Sequence, residues 1–296
     1  MILINNTEYK PTTFPDGSFC MLNMPALGAQ NYIYITWKYD NDAELVALQY
    51  IVSHIRENYS VIDKIFLVMP YIPNARMDRV DPNCKAEQVF TLKYFANIIN
   101  SMNFAQVIVL DPHSTVSVAL INNVVELDVS TYVNTSINNI IEDFNVNRDD
   151  LIIYTPDAGA YKRYSSLLKK LNIPFIYGEK LRDFATGKIE GLRIITNGMD
   201  LSGKTILMVD DIIAYGGTFF YSAQELKNQG VAKIFAYATH TENSIYELDY
   251  TKEPPVFKSK FLKMIYSGEV ERLYTTDTIF RGSSDNHIKV IQSNLI

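Results

Sequence analysis

The chain is poor in cysteine and tryptophan and has no excess of positive charge, and each shortage removes a class of protein. Its two cysteines, Cys20 and Cys84, in 296 residues show neither metal-ligand spacing nor a disulfide framework, which points to a reducing compartment. Twenty-seven basic against 33 acidic residues leave a formal net charge of −6. A general nucleic-acid binder would be basic, so nucleic acid is not an expected partner and any phosphate-handling site must be a local basic cluster. No apolar run reaches the ~18 residues needed to span a bilayer. The opening residues 1–11 have neither the charged start nor the apolar core of a signal peptide. A cytoplasmic protein with no membrane partner is therefore expected. The sequons at Asn5, Asn58 and Asn134 are read as chance, and no short repeat or low-complexity tract occurs.

What is present is an ordinary globular mixture, 47% hydrophobic and 20% charged, long enough for two α/β domains. Ile2–Ile4 and Tyr32–Ile35 read as strands around a turn at Phe14-Pro15-Asp16-Gly17. Leu45, Leu48, Val52 and Ile55 recur at helical spacing behind the candidate cap Asp42. Ile65–Met69 is a buried strand, followed by an irregular segment with Arg76, Asp78 and Arg79 and a polar loop, 81–87. A second helix places Leu92, Phe95, Ile98 and Met102 on one face, and Val107–Leu110 is a strand ending at Asp111-Pro112-His113. The polar stretch Asn145–Asp150 marks a boundary, giving domains 1–146 and 147–296. The second half repeats the plan: strand Leu151–Tyr154, turn Thr155–Gly159, helix Tyr161–Leu171, strand Pro174–Tyr177, and later strand Ile234–Thr239 ending at His240. Strands alternating with helices predict mostly parallel sheets, with ligands collecting at strand ends.

The most informative stretch is Lys204–Phe219. Ile206–Val209 lacks polar alternation, as a parallel strand buried on both faces does. Asp210 and Asp211 stand at its exit, and Gly216-Gly217-Thr218 form a turn into a helix that ends at Gly230. Carboxylates accept from ribose hydroxyls, and backbone N–H groups at a helix start face an anion, so the stretch reads as a sugar-phosphate cradle. The preceding Gly198–Thr205 is a literal Gly-x-x-x-x-Gly-Lys-Ser/Thr. That motif needs a helix beginning at its Lys-Thr, whereas a β-rich run begins there, so no P-loop is expected.

The cradle is similar to the PRPP-binding motif of type I phosphoribosyltransferases, and the charged strand ends in order resemble the ribose-phosphate diphosphokinases (PRPP synthetases) from Phe14 to about Thr278. Phe14, Asp16 and Gly17 resemble that family's adenine-binding Phe-x-Asp-Gly-Glu, which a neighbouring subunit contributes, with Ser18 in place of Glu. Ala75–Arg79 is similar to the ATP-binding Ala-Arg-Gln-Asp-Arg, with Met77 for Gln. Asp111-x-His113 looks like the Asp-x-His that contacts metal–ATP. Thr155-Pro156-Asp157 with Gly159 resembles Ser-Pro-Asp-x-Gly, and Lys180-Leu181-Arg182 keeps the catalytic Lys-x-Arg spacing. The resemblance implies two tandem type I phosphoribosyltransferase-like domains and a homo-oligomer. The implied reaction carries the β,γ-diphosphate of ATP to the anomeric hydroxyl of a ribose 5-phosphate moiety, releasing AMP.

The chemistry of each position suits those roles. Diphosphoryl transfer needs in-line positioning and neutralisation of developing charge. Lys180 and Arg182, two residues apart on an extended segment, can clamp the transferred group. Mg²⁺ would bridge phosphate oxygens with His113 and Asp157 near its shell. Arg76, with Asp78 beside it, suits bidentate phosphate recognition. Asp210 and Asp211 would hold the ribose hydroxyls.

One departure bears on the acceptor. Where the family has Asp-Thr, this chain has Ala214-Tyr215, ahead of Gly216, Gly217 and Thr218. A carboxylate and a hydroxyl that help hold a terminal 5-phosphate are replaced by space and an aromatic face. Ribose 5-phosphate and ADP-ribose both remain open as acceptors, the latter being the substrate of divergent phage relatives that this chain resembles. A second departure is the loop after Arg79, which is longer than the family's and keeps Lys85 as its basic residue. The alternatives are a phosphoribosyltransferase, for which Arg76 and His113 have no use, and an inactive regulatory homologue, for which retention of Lys180, Arg182, His113 and Asp157 has no reason.

Overall fold

A computed structural model describes residues 1–84, 87–182 and 189–295, with the side chains of 84, 180–182 and 189–191 outside that description; Lys85 lies outside the described residues. The chain divides into two compact units, Met1–Asp128 with the residues from Asn294 on, and Val129–Ser293.

The first unit is built on a sheet ordered β2 (Thr7–Tyr9), β1 (Ile2–Ile4), β5 (Tyr32–Trp37), β6 (Lys64–Val68), β7 (Gln106–Leu110), β8 (Val124–Leu127). β5 to β8 run parallel, and β1 is antiparallel to β2 and β5. A short hairpin, β3 (Thr12–Thr13) with β4 (Phe19–Cys20), carries the Phe14–Gly17 turn, which Gly17 N closes on Phe14 O at 2.9 Å. Helix α1 (Ala43–Asn58) buries Leu48, Val52 and Ile55 as its periodicity predicts. Its start differs from expectation. Asp42 is already helical and makes no side-chain cap, because its carboxylate accepts from the Tyr39 hydroxyl at 3.0 Å; Asn41 Oδ1 accepts from Ala43 N instead. Helix α2 (Thr91–Ser101) turns Ile99 inward at 1% exposure and leaves Ile98 at 38%. The step of three from Phe95 to Ile98 drifts around the helix, whereas Leu92, Phe95, Ala96 and Ile99 stay on one stripe at 3.6 residues per turn. Helix α3 (Thr115–Leu120), capped by Ser114, connects β7 to β8.

The second unit opens with helix α4 (Ser130–Phe144), which a boundary at 146/147 assigns to the first half. Within the second unit Phe144 stacks edge-on against Phe235 at 4.7 Å between centroids, and Lys233 Nζ donates to Phe144 O at 3.0 Å. Apolar burial on that sheet, rather than the polar composition of the segment after it, ties the helix there. The sheet is ordered β11 (Ile189–Ile195), β10 (Phe175–Arg182), β9 (Leu151–Thr155), β12 (Thr205–Ile213), β13 (Lys233–Thr241), β16 (Arg272–Thr276), β17 (Ile288–Ile291), all parallel except β10 against β11. β9 and the first half of β12 are buried on both faces, as unbroken apolar runs require. Helix α5 (Ala158–Leu171) begins three residues earlier than Tyr161 because Asp157 caps it, Oδ1 accepting from Ala160 N at 2.9 Å. β10 continues past Tyr177 to Arg182. A side chain at Gly178 would put its β-carbon 2.4 Å from the Tyr154 hydroxyl, so only glycine lets β10 pass that buried group, which hydrogen-bonds Ser222 Oγ at 2.8 Å. β12 starts at Thr205 with no helix after Lys204, and Lys204 pairs with Asp150 at 2.6 Å, so the Gly-x-x-x-x-Gly-Lys-Thr string is not a P-loop. Helix α6 (Gly217–Asn228) follows β12, the small hairpin β14 (Leu248–Asp249) with β15 (Val256–Phe257) follows β13, and helix α7 (Lys260–Tyr266) leads into β16.

No helix among the described residues is long and apolar enough to cross a membrane.

Candidate active site

In the first unit, the sequence-predicted residues lie at strand ends and turns, from exposed to half-buried. Phe14 is 53% exposed at the tip of the β3–β4 hairpin. Asp16 Oδ1 accepts from both Ser18 N at 2.9 Å and Ser18 Oγ at 2.6 Å, and the Ser18 hydroxyl holds that carboxyl below its ordinary range. Ser18, standing where the resemblance has Glu, thus braces the turn. Arg76 and Arg79 are exposed and Asp78 is half-buried in the segment after β6, anchored by buried Ala75 and a turn from Met77 N to Asn74 O at 2.8 Å. After β7 the chain bends sharply: Asp111 is 3% exposed with a left-handed φ of 46°, and His113, half-buried, stands just before the cap of α3.

The second unit concentrates its charged groups at the ends of β9, β10 and β12. Thr155, Pro156 and Asp157 leave β9, and Asp157 caps α5. Lys180 and Arg182 lie on β10, opposite Leu192 and Ile189 of β11, with a register shift between Leu181 and Arg182; their side chains are outside the described residues. The acidic pair on β12 is divided by strand alternation. Asp211 is 1% exposed, and its Oδ1 lies 2.5 Å from Arg163 Nη1 of α5. Asp210 keeps some surface; burial, then the neighbouring Asp211 carboxylate, push its carboxyl well above the ordinary range. Removing the cation from a buried pair leaves an uncompensated carboxylate, typically about 3–5 kcal/mol when both groups are fully buried. Asp211 therefore fastens α5 to β12, and of the two only Asp210 retains surface to offer a hydroxyl. Arg163 was not singled out in the sequence, since nothing in its local pattern points to a partner on a distant strand.

Between β12 and α6 the backbone turns on Gly216, with φ 71°. A β-carbon there would meet Phe261 Cβ at 2.7 Å, so both conformation and space require glycine. Gly217 is exposed, while Ala214 and Thr218 are half-buried. The loop thus brings the unpaired N–H groups of the first turn of α6 to an open surface, an arrangement suited to an anion. Tyr215 is 45% exposed. Rather than packing on Phe219 or Phe220, it donates its hydroxyl to Glu247 Oε2, while Phe219 packs on Phe261 and Phe220 on Tyr221. Glu247 Oε1 is paired with Lys258 Nζ. Neither Glu247 nor Lys258 stood out in the sequence, because only the β14–β15 register brings them together. His240, at a strand end, is 2% exposed, its Nδ1 2.9 Å from Thr278 Oγ1.

Comparison with known proteins agrees with this geometry. Residues 129–274 match the phosphoribosyl transferase domain family. The chain is 24% identical over 279 residues to the ribose-phosphate pyrophosphokinase of Sulfolobus acidocaldarius, with 92% of this chain and 84% of that one covered. It is 26% identical over 230 residues to the ribose-phosphate pyrophosphokinase of Saccharolobus solfataricus, covering 77% and 74%. The fold resembles the crystal structure of phosphoribosylpyrophosphate synthetase from Mycobacterium smegmatis, with a TM-score of 0.72 over 96% of this chain and 85% of that one at 15% identity. The α/β architecture is thus that of two tandem phosphoribosyltransferase-like domains, and in sequence the chain resembles a divergent member of the ribose-phosphate pyrophosphokinase family.

Proposed function

We propose that the protein is an AMP-forming diphosphokinase that carries the β,γ-diphosphate of ATP to a ribose 5-phosphate moiety. The observation that supports it most is the β12–α6 connection, where a half-buried carboxylate, a glycine turn and an open helix start stand in sequence at one strand end. The anomeric oxygen attacks the β-phosphorus, the bond from that phosphorus to the α,β-bridging oxygen breaks, AMP leaves with the electron pair, and the hydroxyl proton passes to solvent. ATP is assigned to Phe14, Asp16, Arg76, Asp78 and His113. The acceptor is assigned to Asp210 and to the loop from Ala214 to Thr218. Lys180 and Arg182 are assigned to the transferred group.

Among the described residues no three His, Cys, Asp or Glu side chains gather into a protein-built metal site. Mg²⁺ carried on nucleotide phosphates keeps most of its waters and takes one or two protein ligands. Asp157 is the residue of the second unit that would meet it, and its charge would neutralise phosphate oxygens.

The acceptor is either ribose 5-phosphate or ADP-ribose, and Ala214 and Tyr215 favour the second, because they leave room and a half-exposed aromatic where a terminal phosphate would want donors. Incubation of ATP with each sugar, products read by mass spectrometry, should yield AMP and a diphosphorylated sugar. Formation of ADP, or of no nucleotide product with either sugar, overturns the proposal. Release of diphosphate from PRPP would instead identify a phosphoribosyltransferase.

A homo-oligomer belongs to the same reading. Phe14 stands 53% exposed beside Asp16 on a two-stranded hairpin, a tip suited to complete an adenine site in another copy of the chain. Light scattering coupled to size exclusion should find a dimer or larger assembly, and Phe14→Ala should raise the KM for ATP about tenfold. A fully active monomer would contradict the assignment.

A further inference from the structure

The segment from Glu247 to Phe261 is tied to the acceptor loop at three places. Lys258 N donates to Glu247 O at 2.8 Å, closing the β14–β15 hairpin and setting the two side chains as an ion pair. The other oxygen of that carboxylate, Oε2, takes the Tyr215 hydroxyl. Ser259, whose Oγ caps α7 by accepting from Leu262 N at 2.9 Å, also donates to Tyr215 O at 2.8 Å. Phe261 then stands against Gly216, and Lys260 Nζ lies 5.4 Å over the ring of Phe220. Tyr215 is thereby held through both its backbone and its hydroxyl.

Stability does not account for this arrangement. Tyr215 is 45% exposed, and the Glu247 and Lys258 side chains are 41% and 44% exposed. An exposed pair of that kind contributes about 0–1 kcal/mol. What the contacts do achieve is positional: they fix an ammonium group one carboxylate away from the residue that opens the acceptor loop. A lysine is a compact point charge well suited to a phosphate oxygen. A sugar that ends at its 5-phosphate is served by the loop and the α6 start alone. A sugar whose 5-phosphate is extended as a diphosphate carries a second anion, which a cation held beside Tyr215 would meet.

We infer that Lys258 is a specificity-determining residue for acceptors whose 5-phosphate is extended as a diphosphate, with Glu247 as the positioning residue that aims both Lys258 and Tyr215. The inference rests on the assignment of the Ala214–Thr218 loop to the acceptor phosphate. Calorimetric titration of the full chain with ADP-ribose and with ribose 5-phosphate, without ATP, reads it directly. The ratio of the two affinities should fall about tenfold in Lys258→Met, stay within about twofold of wild type in Lys258→Arg, and fall about three- to tenfold in Glu247→Gln, which keeps the shape of the side chain and weakens its hold. In turnover assays the KM for the extended acceptor should rise in Lys258→Met with kcat held. Equal loss for both sugars in Lys258→Met, or no change in the ratio, overturns the inference. So does a wild type that binds ribose 5-phosphate and not ADP-ribose. AMP release by the wild type, measured in parallel, judges the transfer reaction separately: a protein that releases AMP while its affinity ratio ignores Lys258 keeps the proposed function and loses this subsite.

Discussion

Lys180→Ala and Arg182→Ala are each expected to lower kcat about 10²–10³-fold, the usual effect of removing one donor aimed at charge that develops in the transition state. Both residues lie at the outer end of β10, next to the bulged pairing with β11, and bulges commonly sit where a strand re-aims a side chain at a site. Diphosphoryl transfer leaves the protein little covalent chemistry, so these cations have more to contribute at the transition state than to ground-state nucleotide binding. The KM for ATP should accordingly change by less than about threefold. Lys180→Arg should recover only part of the rate, because a planar fork does not occupy the place of a point charge. Steady-state kinetics that find near wild-type kcat in both alanine variants would remove Lys180 and Arg182 from the catalytic assignment.

The acceptor preference is the second large effect. Wild type is expected to favour ADP-ribose over ribose 5-phosphate in kcat/KM by roughly tenfold to a thousandfold, and Ala214→Asp/Tyr215→Thr is expected to reverse that order. Stacking on an aromatic contributes on the order of 1 kcal/mol, and a terminal phosphate with unfilled contacts loses at least as much; each ~1.4 kcal/mol is a factor of ten. The structure bears on the balance through Tyr215, which is half-exposed and engaged by Glu247 rather than folded onto Phe219 or Phe220. The substitution leaves Gly216, and with it the left-handed turn against Phe261, in place. If ribose 5-phosphate is the better substrate of the wild type, ADP-ribose is not the acceptor.

Several features of the site were open to reading before any coordinates. The strand-end carboxylates and the Gly216-Gly217-Thr218 turn were legible because backbone geometry imposes local residue choices: a parallel strand buried on both faces shows as an apolar run, and a left-handed turn shows as glycine. The false P-loop at Gly198–Thr205 could be rejected in the same way, from the order of strand and helix around it. An error arose where neighbours compete for one side chain: Asp42 lost its cap role to Tyr39. The domain boundary drawn at the polar stretch Asn145–Asp150 missed that α4 packs by Phe144 on the second sheet.

By itself, the sequence determined the alternation of strands and helices, the apolar cores of the two halves, and the order of charged residues that marks the family, since all of these follow from periodicity and from spacing along one segment. The tertiary structure decided which of those charges remain available. Asp210 and Asp211 are equivalent on paper, yet in the fold Asp211 is buried against Arg163 while Asp210 is only half-buried. Tyr215 is a lone aromatic in the sequence and a tethered one in the fold, because a hairpin more than thirty residues later returns Glu247, Lys258 and Ser259 to it. The physical reason is the same in both cases: the charge state, orientation and exposure of a side chain depend on partners distant in sequence, and only chain packing chooses them.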